Sequence, residues 1–94
     1  MNKGELIAAV ARETGESKAL TERMLNRTLD VIMDGVVSGV KVRITDFGSF
    51  EARERAARTA RNPKTGDTVQ VEATTVPVFK AGKAFKEAVR EAGA

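Results

Sequence analysis

Leu6, Ile7 and Val10 recur at helical spacing behind Asn2 and Glu5, a pair placed to cap a helix, and the pattern stops at Gly15. This predicts a short amphipathic helix. Ser17 is placed to cap a second one, which runs from Lys18 to about Ser38 and ends at Gly39. With helix positions about 100° apart, Leu20, Met24, Leu25, Leu29, Val31, Ile32, Met33 and Val36 spread over roughly 220° of the second helix. Arg23, Asn26, Arg27, Asp30 and Asp34 fill the remainder. A single buried stripe is narrower than that. Two short helices and a small sheet from the same chain are too little to cover such a face, so a second copy is expected to do so in a symmetric homodimer.

From Lys41 the period changes to two. Val42 and Ile44 alternate with Lys41, Arg43 and Thr45, the pattern of a half-buried strand, and Asp46-Phe47-Gly48 turns the chain into a second strand. Ser49 to Arg61 continues extended, but beyond Phe50 its side chains are small or charged. Asn62-Pro63-Lys64-Thr65-Gly66-Asp67 is a turn signal, and Val69 and Val71 alternate with Thr68, Gln70 and Glu72 on the way back. A long hairpin follows, projecting on the order of 30 Å for about nine residues out and nine back. Pro77, within Val76-Pro77-Val78-Phe79, implies a strand at a sheet edge, and Ala84, Phe85, Ala88 and Val89 suggest a closing helix from Gly82 to Ala92. The predicted fold is α+β, in the order α-α-β-β-β-α.

At 94 residues the chain suits one domain, 1–94, with a helical dimerisation part over 1–40. Residues 41–94 then supply the sheet, an arm at about 53–75 and the last helix. A net charge of +3 is too small to name a polyanionic partner, but its distribution says more. Residues 1–40 carry five basic and six acidic side chains, whereas 41–94 carry eleven and seven. Between Arg53 and Lys64 five basic residues meet one acid, Glu54. The chain has neither cysteine nor histidine, which removes disulfides, thiolate metal sites and imidazole catalysis; neither enzymatic activity nor a cofactor is expected. With no signal-type apolar run and no stretch near the ~20 apolar residues of a membrane span, a cytoplasmic location is expected.

Arg53, Arg55, Arg58, Arg61 and Lys64 lie on a ribbon with no apolar payload. Guanidinium and ammonium groups in such a row bind phosphate oxygens and release condensed counterions, and a two-stranded ribbon is thin enough for a DNA groove. The ordinary alternative is a solvated hairpin charged for solubility. Pro63 at the tip has two readings of its own: a turn former that presets φ, or an apolar wedge between base steps.

Phe47-Gly48-Ser49-Phe50, the arginines after it and Arg61-Asn62-Pro63-Lys64-Thr65-Gly66 resemble the HU and integration host factor family of bacterial DNA-bending proteins. The resemblance covers essentially the whole chain, including Met1-Asn2-Lys3, Val76-Pro77-Val78-Phe79 and Ala81-Gly82-Lys83. It implies an intertwined dimer with a helical body and two protruding β-ribbon arms that embrace duplex DNA in the minor groove. By position, Arg55, Arg58 and Arg61 would line the arms, and Asn62 and Pro63 would sit at the kink with Pro63 as the wedge. Lys3, Lys80, Lys83 and Lys86 would hold phosphates along the body, while Phe47, Phe50 and Phe79 become core. Asp46 departs from the family, which usually has glycine there, and that touches the turn geometry and the body contacts nearby.

The function so implied is architectural: binding of double-stranded DNA largely without sequence specificity, with bending or compaction, in the nucleoid. Bent, nicked or flexible DNA should be preferred, and RNA is a further polyanion the ribbon would accommodate. The competing readings are a subunit of a sequence-preferring heterodimer like integration host factor, and a module whose hairpin docks an acidic protein. Asp46-Phe47-Gly48 also spells the metal-binding triplet of protein kinases, but the chain is far too short for one and has neither a Gly-rich loop nor the histidine of the catalytic motif. Asp46 to Arg53 is faintly similar to an RNA-recognition strand, a fold that needs four strands in another order.

Overall fold

The computed structural model describes residues 1–93. Helix α1, Lys3–Thr14, is capped by Asn2, whose side chain accepts a hydrogen bond from the Glu5 N–H at 2.8 Å. It closes at Gly15, which adopts the left-handed conformation that only glycine takes without cost. Helix α2, Lys18–Val37, starts under the Ser17 hydroxyl, which accepts from the Leu20 N–H at 3.1 Å. Gly39, at φ 85°, ends it, and its N–H donates to the Val36 carbonyl at 3.0 Å. Both caps lie where the polar residues before the apolar patterns placed them.

Five strands follow: β1 Val42–Ile44, β2 Gly48–Arg55, β3 Arg58–Arg61, β4 Thr68–Val71 and β5 Thr74–Ala81; helix α3, Lys83–Gly93, closes the chain. The sequence predicted three, because it read each side of the hairpin as continuous. Instead the ladder breaks at Ala56 and Ala57 on the outward side and at Glu72 and Ala73 on the return. Alanine and glutamate offer little to pack on a pleated surface, so pairing lapses there. One antiparallel sheet has the order β1-β2-β5, and β3-β4 form a second, two-stranded one. Pro77 lies in β5, an edge strand, where its missing N–H leaves no ladder bond unmade.

The turn between β1 and β2 keeps its hydrogen bond, Phe47 N–H to the Ile44 carbonyl at 3.1 Å, with Asp46 at φ 68°. Asp46 thus occupies a left-handed position that suits glycine, and aspartate is among the few other residues that tolerate it. The departure at this position leaves the turn intact.

The chain divides into two compact units, Met1–Asp34 and Gly35–Ala94. In the first, Ile7, Ala11 and Thr21 are buried, and no described side chain anywhere in the protein is completely so. Much of the apolar sector of α2 faces outward: Met24 is 61% exposed, Met33 56% and Val31 69%. In the second unit the Phe47 ring lies 5.3 Å from Phe79 and 5.5 Å from Phe85, and Phe50 lies 4.8 Å from Phe79. The Gly82 N–H donates to the Phe47 carbonyl at 2.7 Å, tying the start of α3 to the turn. The phenylalanines expected as core do cluster, yet Phe79 remains 41% exposed, because one chain covers only one side of the group. Among the described residues no helix is long and apolar enough to cross a membrane.

Candidate nucleic-acid interface

Strand register sorts the side chains of the three-stranded sheet onto two faces, since directly paired residues in an antiparallel ladder point the same way. Val42 pairs with Phe50, Phe50 with Phe79 and Gly48 with Ala81, which makes one face aromatic and apolar. Arg43 pairs with Ser49, Ser49 with Lys80, Glu51 with Val78, Arg53 with Val76 and Arg55 with Thr74. The other face is therefore a row of cations interrupted by one acid, Glu51. Lys41, Arg43, Lys80 and Lys83 also line a depression of about 410 Å³, together with Ser49 and Asp46.

Glu51 binds the nearest of these cations. Its carboxylate lies 2.9 Å from Lys80 Nζ and 3.5 Å from a terminal nitrogen of Arg53. The hydrogen bond from Lys80 holds the Glu51 carboxyl below its ordinary range, helped by the charges of Lys80, Lys41 and Arg53, while partial burial works in the opposite direction.

In the ribbon, Arg58 pairs with Val71 and Arg61 with Thr68, with Thr59 and Ala60 between them. The two arginines are three residues apart and so project from opposite faces, giving the ribbon a guanidinium on each side. The tip is closed by its own backbone: Asn62 N–H donates to the Asp67 carbonyl at 2.8 Å, and Gly66 N–H donates to the Asn62 carbonyl at 2.7 Å. The Asn62 side chain accepts from the Lys64 N–H at 2.9 Å, spanning Pro63 in an Asx-type turn. Asn62 builds this turn, and Pro63 and Lys64 are exposed at its end.

The remaining candidates are dispersed. Lys3 opens α1 and lines a depression of about 450 Å³ with Arg23, Asn26 and Arg27. Lys83 lies 4.0 Å from Glu87 on α3, and Lys86 is exposed on the same helix. Sequence reasoning passed over Lys41, Arg43 and Glu51. The alternation of Lys41 and Arg43 with Val42 and Ile44 marked a half-buried strand, but only the pairing with β2 and β5 places them beside Lys80.

The sequence model of the family described as Bacterial DNA-binding protein matches residues 1–90. The chain belongs to that family. Members of this family of HU-type proteins are architectural DNA binders and not enzymes. Among similar proteins, a DNA-binding protein HU of Lactococcus lactis is 49% identical over 89 residues, which are 95% of this chain and 98% of the relative. The Anabaena HU–DNA cocrystal structure superposes with a TM-score of 0.87 at 49% identity, covering 95% of this chain and 97% of that one. HU from Thermotoga maritima gives a TM-score of 0.69 at 36% identity, over 95% and 98% of the two chains. The bacterial DNA-binding family thus accounts for nearly the whole length, arm included.

Proposed function

We propose that this chain binds duplex DNA as a homodimer, largely without sequence preference, and bends it from the minor groove, acting in the nucleoid. The observation that carries this reading is the cationic face of the sheet, Arg43, Arg53, Arg55 and Lys80, followed by a ribbon with Arg58 and Arg61 on its two sides. Such a ribbon contributes almost nothing to a core, and its charges suit phosphates on both walls of a groove. Lys64 at the tip, and Lys3, Lys83 and Lys86 on the helices, add phosphate contacts. Base reading is a minor part, since minor-groove patterns are degenerate. DNA that is already bent, nicked or flexible should bind more tightly, because part of the deformation energy is spared. The same cations would accept RNA phosphates.

Dimerisation is supported by exposed apolar side chains: Met24, Leu29, Val31 and Met33 on α2 are open to solvent, and so are Phe47 and Phe79 in the phenylalanine cluster. A second copy of the same chain matches both. The similar proteins cited are HU proteins, which favours this reading over a sequence-preferring heterodimer.

Within this reading the arginines supply affinity and Pro63 the shape of the DNA. Arg58→Ala or Arg61→Ala should weaken binding to all duplexes about tenfold or more, the loss of a charge-assisted contact in each arm. Pro63→Ala should change affinity less but reduce the bend, measured by energy transfer between dyes at the duplex ends. An unchanged bend in Pro63→Ala would sink the wedge assignment.

A further inference from the structure

The cationic face of the sheet contains one acid, and it sits in the middle. Glu51 is flanked along β2 by Ser49 and Arg53, and its carboxylate takes up the Lys80 ammonium at 2.9 Å and the Arg53 guanidinium at 3.5 Å. These contacts do little for the fold. Lys80 is 51% exposed and Arg53 47%, and ion pairs this open to water contribute little to stability. Their consequence falls on the cations themselves, because carboxylate and phosphate oxygens compete for the same N–H donors.

We propose that Glu51 is an internal rival of DNA phosphates: it occupies Lys80 and Arg53 and so sets the strength and the salt sensitivity of duplex binding. The inference rests on the duplex-binding reading and deepens it. To contact a phosphate, Lys80 and Arg53 must either leave Glu51 or bring the phosphate close to a carboxylate that is held ionised beside them. Either route weakens binding and reduces the net release of counterions. A carboxylate in this position also draws both side chains toward β2 before DNA arrives, and it lessens the attraction of the face for anions that offer only one contact.

The test compares Glu51→Gln with Glu54→Gln. Both remove one negative charge, but Glu54 lies on the opposite face of β2 and makes no ion pair with the sheet cations. Duplex affinity is measured by fluorescence anisotropy over a salt series. Glu51→Gln should bind several-fold more tightly than Glu54→Gln, and its plot of log K against log salt should steepen by up to about 1.8 per protomer, the equivalent of two phosphate contacts. The gain should disappear when Lys80 and Arg53 are both also changed to glutamine, which a general charge effect would not do. Equal affinities and slopes for the two single variants would overturn the inference. Absence of duplex binding by the wild-type chain would instead overturn the reading on which it rests.

Discussion

Gly48→Ala should lower stability by about 3 kcal/mol or more and the thermal midpoint by more than about 10 °C, read by circular dichroism. Gly48 is buried at the start of β2, opposite Ala81. A Cβ there would stand 2.5 Å from the Lys80 carbonyl oxygen and 2.6 Å from the edge of the Phe79 ring. Neither neighbour can move aside at low cost. The carbonyl belongs to the β2–β5 ladder, and the ring is held by Phe47 and Phe50. The strand would have to separate from β5, taking with it the row that aligns Arg53, Glu51 and Lys80. A thermal midpoint close to that of the wild type would mean that β2 and β5 do not pair in this register.

Leu29→Glu is expected to have an effect of similar size, on assembly rather than on the fold of one chain. Leu29 belongs to the apolar sector of α2 and is exposed in the single chain. In the proposed homodimer that sector is covered, so the variant would bury two unpaired carboxylates. Each costs several kcal/mol unless water or a proton reaches it. Sedimentation at micromolar concentration should find the wild type as a dimer and the variant as a monomer or largely unfolded. Duplex affinity should fall at least a hundredfold, since the second arm no longer arrives with the first. A dimeric Leu29→Glu protein would remove α2 from the interface.

Much of this fold is legible in the chain because its local signals agree with one another. Asn2 and Ser17 cap the helices, Gly15 and Gly39 end them, and Pro77 marks an edge strand. The ribbon tip was equally plain from Asn62 to Asp67. The break of the ribbon at Ala56 and Glu72 was not. Small and charged residues there were compatible with extended backbone, and whether two extended segments pair depends on packing that no local pattern reports.

The candidate site divides in the same way. Arg58, Arg61 and Lys64 announce themselves as a basic run among small and polar residues. Lys41, Arg43 and Glu51 acquire meaning only when β1, β2 and β5 pair and bring them beside Lys80, much later in the chain. A carboxylate among those cations is invisible to charge counting, which gives only the net +3. Phe79 marks a further limit: a sequence assigns an aromatic residue to a core without saying how many chains build it.

In the proposed mode of binding, phosphate contacts grip the duplex and bending deforms it. The most direct test is a salt titration of the wild-type protein on an intact duplex and on the same duplex carrying a central nick. Log K should fall linearly with log salt for both, and the nicked duplex should bind about tenfold more tightly at each salt concentration, a difference of about 1.4 kcal/mol in the deformation to be supplied. Equal affinity for the two duplexes would contradict bending, and undetectable or salt-independent binding would contradict the account as a whole.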